Sequence, residues 1–320
     1  MKKTFLPLCV SLLAVGNAAL AQPAPASKQA PAAASQEFRA GEPLGTVNEA
    51  GKAMPISKNV KVYGSFRFAE SVTFDAERNL LIVMNAGVAQ NVQENDGYVS
   101  LLHPDGSVHT AKWIGATRAG LTLNHPLGSA LHGGVLYAAD INFVRTFDQA
   151  TGKPGRSIEV PGATFLNGIA VAKDGTIYVS NTRPPEAVYK ITADGTVSTF
   201  VPGGAPLAQP NGVAMDPDGN VVVLNMGHNK VLTFDPQGKL VRTDESTESG
   251  NDGIVILPDG TKYVSSVRFG SVTQLRSGQP AKVIATGIPS AASMGYDSKQ
   301  RQLVIPMNDN NALGFLKLTD

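Results

Sequence analysis

Residues 211–225 read NGVAMDPDGNVVVLN. A polar residue comes first, then a short apolar strand, an Asp-Pro-Asp-Gly turn, and a second apolar strand that ends on asparagine. Val221 to Leu224 is an unbroken aliphatic run, as a strand buried on both faces requires. Asp218-Gly219 supplies the positive φ that a tight hairpin demands. The same unit recurs as ESVTFDAERNLLIVMN from Glu70, NGIAVAKDGTIYVSN from Asn167 and DGIVILPDGTKYVSS from Asp252. Weaker copies are LGSALHGGVLYAAD from Leu127 and ASMGYDSKQRQLVIPMN from Ala292. The starts fall at 70, 127, 167, 211, 252 and 292, spaced 57, 40, 44, 41 and 40 residues apart. A period of roughly 40–45 residues with four short strands is that of a propeller blade.

Six starts predict an all-β, six-bladed β-propeller with four-stranded antiparallel blades. In the blade from Asn167, strands are expected near 168–172, 176–181, 186–192 and 196–201. The last repeat has room for only three strands. A lone strand candidate, Asn59 to Tyr63, precedes the first blade. Pairing it beside the last blade closes the ring with an N-terminal strand and removes an exposed edge.

Lys2 and Lys3, the apolar run Phe5 to Leu13 and the small-x-small Ala19-Leu20-Ala21 read as a cleaved signal peptide over 1–21. Residues 22–45 begin with the Ala/Pro-rich QPAPASKQAPAAASQ and read as a flexible tether, and 46–320 as the propeller domain. The expected location is therefore periplasmic or secreted. The single cysteine, Cys9, falls in the leader, so thiolate nucleophiles and thiolate metal sites are not expected of the processed chain. Net charge is +1, and losing the two leader lysines leaves −1. No basic cluster points to nucleic acid, and no apolar span after the leader points to a membrane.

The first strand of a blade lines the central channel, and the second runs back beside it. The start of the first and the end of the second therefore share one mouth of the disc. The inner positions are Glu70, Leu127, Asn167, Asn211, Asp252 and Ala292. Four carry oxygens, two of them carboxylates, and none is histidine or cysteine. That set suits a hard divalent cation, calcium before magnesium. Asn-Gly and Asp-Gly are also ordinary turn dipeptides, so the same residues can be read as loop starts. The outer positions, Asn85, Asp140, Asn181, Asn225 and Ser266, cap second strands. Asn181 and Asn225, with Arg183 beside them, are candidate substrate contacts. His125 and His228 flank the mouth in sequence and are candidate general bases, as is Asp252.

Glu70 in ESVTFD, Asn167 in LNGIAVAKDGTIYVSN, Asn211 in QPNGVAMDPDGNVVVLN and Asp252 in NDGIVILPDGTKYVSS form an ordered set. With it, the chain resembles the regucalcin/gluconolactonase group of six-bladed propellers, over roughly residues 59–320. The resemblance implies one divalent metal, usually calcium, and hydrolysis of a lactone or related ester. It matches Glu70, Asn167, Asn211 and Asp252 to the group's metal ligands. It also sets His125 about where paraoxonase-like members place a catalytic histidine. Ser71-Val72 stands where the group usually has Gly-Pro, and residues 86–118 offer no counterpart to its sugar-contacting arginine and asparagine. The alternative reading is a non-catalytic binding propeller of the NHL kind, holding a structural metal or none. A condensing enzyme like strictosidine synthase, on the same fold, would need an acidic catalytic residue at the mouth.

Overall fold

The computed structural model describes residues 46–47, 53–54, 60–64, 66–87, 93–115 and 120–319. The leader and tether expected over 1–45 lie outside them. Blade one consists of strands Ala69–Asp75, Leu80–Asn85, Tyr98–Leu102 and Val108–Gly115. Blade two has Pro126–His132, Val135–Asp140, Phe143–Asp148 and Pro154–Glu159. Blade three has Leu166–Val171, Ile177–Asn181, Ala187–Ile191 and Val197–Pro202. Blade four has Pro210–Met215, Val221–Asn225, Lys230–Phe234 and Leu240–Glu245. Blade five has Asn251–Ile256, Lys262–Ser266, Ser271–Leu275 and Lys282–Ala285. Blade six has Gly295–Asp297, Gln302–Met307 and Ala312–Lys317. Val60–Gly64 lies fourth in that sheet, antiparallel to Ala312–Lys317, with Ala312 opposite Gly64. The molecule is thus a six-bladed β-propeller.

The burial pattern follows from the geometry. A blade's second strand is sandwiched between two neighbouring blades, so both of its faces are dry. Val221 and Val223 pack toward blade three, whereas Val222 and Leu224 pack toward blade five. Similar apolar clusters fill the other interfaces. The seam between blades six and one is closed by Leu81, Val83 and Leu102 against Val304, Leu313 and Phe315. The fourth strands lie at the rim of the disc, and Leu240–Glu245 is largely exposed.

Two kinds of glycine build this ring. Gly219 and Gly260 end the predicted hairpin turns and have φ of 84° and 80°. Gly168 and Gly212 follow ring asparagines, are not in the positive-φ region, and lie inside strands. They are glycines because of close approach. A Cβ on Gly168 would lie 2.2 Å from the carbonyl oxygen of Asn211, and one on Gly212 would lie 2.3 Å from that of Asp252. The Asn-Gly pairs at the mouth are therefore not turns. Their side chains enter the channel while the bare glycine lets the next blade press against the chain.

Candidate functional site

The starts of the first strands of blades one to five each deliver one side chain to the mouth. Glu70, Asn167, Asn211 and Asp252, from blades one, three, four and five, line a single cavity of about 330 Å³. Leu127 is in its wall, and Ala292 is not among its lining residues. The four polar residues are all buried, none more than 4% exposed. Asn211 Nδ2 donates to Asp252 Oδ2 at 2.9 Å, which leaves Asn211 Oδ1 and Asp252 Oδ1 buried without a donor. Asn167 Oδ1 is in the same condition. Three bare acceptor oxygens lining one cavity, with a second carboxylate beside them, lack a positive partner.

Electrostatics say the same. Burial raises the Glu70 carboxyl well above its ordinary range, the Asp252 charge raises it further, and only the Asn308 hydrogen bond opposes. Burial pushes Asp252 up to about 7 against the hydrogen bond from Asn211. Without a cation these two groups resist sharing the site as anions.

Around this floor the walls combine apolar side chains with Thr182, Gln209 and Asn308. Phe68, Leu127, Phe165, Met226 and Val267 line the cavity, with Arg183 and Asp309 at its rim. The Arg183 guanidinium stacks 3.8 Å from the centre of the Phe165 ring.

Not every expected residue reaches the cavity. Asn181 is fully buried in its own blade: its Oδ1 accepts the Thr164 and Phe165 N–H groups at 3.0 and 2.7 Å. Its Nδ2 donates to the carbonyls of Arg183 and Pro185. Asn225 likewise accepts from Ala208 N–H and donates to the Lys230 carbonyl. Both are loop staples, not substrate contacts, because a strand-end cap turns back onto the loops it joins. Asn181 holds the backbone of two lining residues, Phe165 and Arg183. The expected role of His228 as base also gives way. Its Nε2 donates to the Pro206 carbonyl, its Nδ1 accepts from Lys230 N–H, and it does not line the cavity.

His125 is different. It is buried behind Phe68 and Phe165, with ring centroids 6.1 and 6.0 Å away. Nδ1 lies 2.9 Å from the Ala86 carbonyl, which fixes the proton on Nδ1 and leaves Nε2 as a bare acceptor. Burial lowers its pKa, so the ring is neutral.

Among the cavity residues outside the predicted ring, Asn308 touches it directly. Asn308 Nδ2 donates to Glu70 Oε2 at 2.8 Å. It follows the second strand of blade six and was detectable only as the polar end of VIPMN.

A cavity of about 520 Å³ lies at the other end of blades four and five, among the turns at Asp216–Asp218 and Pro258–Gly260. It is larger than the mouth cavity, and three of its charged side chains, Arg242, Asp244 and Lys262, pair with one another. Asp244 accepts from Arg242 at 3.1 Å and from Lys262 at 3.2 Å. Size alone does not make it the chemical site.

The family model described as the SMP-30/Gluconolactonase/LRE-like region matches residues 90–249. The chain belongs to this family. A search of curated proteins finds no match. Among solved structures, this SMP-30/gluconolactonase-like chain is similar to a gluconolactonase from Xanthomonas campestris, at 18% identity and TM-score 0.61, over 88% of this chain and 99% of that one. It is also similar to virginiamycin B lyase from Staphylococcus aureus, at 16% identity and TM-score 0.54, over 87% and 89%. A catalytically inactive form of that lyase with quinupristin aligns at 13% identity and TM-score 0.54, over 81% and 100%. At these identities the likeness is one of fold.

Proposed function

We propose that this chain is an exported, divalent-cation-dependent hydrolase of a lactone or related ester, with calcium the favoured ion. The carrying observation is the set of bare oxygens on Asn167, Asn211 and Asp252 beside the Glu70 carboxylate. Two carboxylates match a divalent charge, and two neutral amide oxygens extend an all-oxygen shell. Glu70, Asn167, Asn211 and Asp252 would hold the ion. Bound there, it supplies Lewis acidity toward a carbonyl and charge against the developing oxyanion.

The protein's own groups supply the rest. A carboxylate offers about four lone-pair sites, and Asn211 occupies one of those on Asp252. The remainder leave room to accept the proton of an attacking water. Asp252 is favoured over His125 for that role because it lines the cavity, whereas His125 sits behind Phe68 and Phe165. Phe68, Phe165, Met226 and Val267 exclude bulk water and receive the substrate's carbon skeleton. Hydrolysis turns a neutral lactone into a hydroxy acid. Arg183 at the rim carries the sign that the new carboxylate requires. Family membership, and the gluconolactonase among similar folds, support the lactone class.

The test is calcium titration of the metal-stripped protein with thermal unfolding in parallel, followed by a lactone and ester screen. Wild type should take up one ion, and calcium at ~100-fold over its Kd should stabilise it by about 2.7 kcal/mol. Glu70→Gln and Asp252→Asn should lose both effects. Uptake without turnover of any lactone or ester would leave the binding propeller standing. No uptake of any divalent ion would remove the hydrolase mechanism.

A further inference from the structure

The six blades repeat one pairing at the mouth. The residue before each ring position pairs with the last residue of the second strand: Ala69 with Asn85, Pro126 with Asp140, Leu166 with Asn181, Pro210 with Asn225 and Asn251 with Ser266. In blade six the corresponding bridge joins Ala291 to Met307. Asn308 is therefore one residue past the cap. Its counterparts are Ala86, Ile141, Thr182, Met226 and Val267, of which none is an amide. Thr182, Met226 and Val267 also line the cavity, so this position faces inward. Blade six alone places a primary amide there.

That amide has one orientation. Its Oδ1 accepts the Asp309 N–H at 2.8 Å, so its Nδ2 is the group directed at Glu70 Oε2. The residue is 7% exposed and sits in the short 3-10 turn Asn308–Asn310. Asn311 closes the turn by donating its N–H to the Asn308 carbonyl, and it accepts the Phe68 N–H on its Oδ1 at 2.6 Å and the Phe66 N–H on its carbonyl. The turn thus grips the segment that leads into Glu70 at both the backbone and the carboxylate. Its Oδ1 already accepts one N–H, so the amide turns its donor, not its acceptor, toward Glu70.

We infer that Asn308 is a positioning residue for the cation site, holding one Glu70 oxygen so that the other faces the bare oxygens of Asn167, Asn211 and Asp252. The inference rests on the cation reading of that cavity. It assigns blade six, whose ring position is only Ala292, a part in the site.

The experiment is calcium calorimetry on the metal-stripped full chain, comparing wild type with Asn308→Leu, Asn308→Ser and Asn308→Gln. Metal-free thermal unfolding is recorded for each, so that affinity is judged only on folded protein. Leucine matches the shape without a donor, serine is too short to reach, and glutamine keeps an amide donor on a longer arm. Removing an outer-shell partner of a metal ligand typically weakens binding roughly 10- to 100-fold, and the Leu and Ser variants should fall in that range. The Gln variant should recover part of the loss. Leu and Ser variants within about threefold of wild type, whatever their melting temperatures, would overturn the inference while leaving the cation site intact. No uptake by wild type would remove the cation reading and this inference with it.

Discussion

Blades three to five and the seam where blade six meets blade one reach the same mouth by different means. In the first region one device repeats: Asn167-Gly168, Asn211-Gly212 and Asp252-Gly253 each combine an inward oxygen with a glycine that lets the next blade close in. Around blade one, side chains do the work. Ser71 stands where the others have glycine, and its hydroxyl donates to the Leu127 carbonyl at 2.5 Å. Asn308 and Asn311 bind Glu70 and the backbone before it. At the position after the ring residue, blades three to five set distance by a bare glycine and blade one by the Ser71 hydroxyl, although Ser180 and Ser265 add hydrogen bonds to the repeat and Gly295 adds a close approach to the seam. A steric rule tolerates no added atom. A hydrogen-bonded rule tolerates substitution at the cost of its bonds.

The strongest way to break this comparison is to cut the seam itself. Deleting residues 55–66 removes the fourth strand of blade six and exposes the Ala312–Lys317 edge. The expected result is loss of the cooperative unfolding transition by circular dichroism, while deleting 22–36 leaves it in place. Next comes one methyl group on each side. Gly168→Ala drives a Cβ to 2.2 Å from backbone, and overpacking of that kind costs about 3 kcal/mol or more. Ser71→Ala forfeits the hydroxyl's hydrogen bonds to the Leu127 carbonyl and to Ser129 Oγ, about 1 kcal/mol each. Urea midpoints of the two variants measure the contrast, and equal losses would erase it.

A smaller effect comes from pH. The Glu70 and Asp252 carboxyls hold protons more tightly in the fold than at their ordinary values of 4.5 and 3.8. Their contribution to metal-free stability is therefore complete at acid pH and is lost as pH rises from about 4 through about 7. The melting temperature of the stripped protein should fall by several degrees over that window, and calcium should flatten the slope. The smallest effect is expected at His228, whose contacts are two 3.2 Å hydrogen bonds within exposed loops. His228→Ala should change stability by about 1 kcal/mol or less and leave turnover of any lactone substrate unchanged.

What the sequence revealed and concealed follows the same division. The blades were legible because a buried second strand leaves an apolar run, and an Asp-Gly turn marks its start. The convergence of Glu70, Asn167, Asn211 and Asp252 was legible because equivalent starts of equivalent strands must meet at one mouth. Side-chain direction was not. Asn181 and Asn225 hold the same kind of strand-end position as a ligand contact would, yet their amides satisfy loop backbone that no pattern displays. Asn308 escaped because it lies one residue past the cap Met307, at a position that carries no amide in the other five blades. Its partner Glu70 is also 238 residues away in the chain.

The four oxygen-bearing ring residues come from blades one, three, four and five, so no contiguous fragment shorter than 70–252 contains them all. The residue that seats Glu70 arrives later still, at 308. During synthesis the cavity cannot form piecemeal; it appears only when the last blade docks on the first. Occupancy of the mouth would then report a finished circle, which suits a chain that must complete its folding without a disulfide to mark the end.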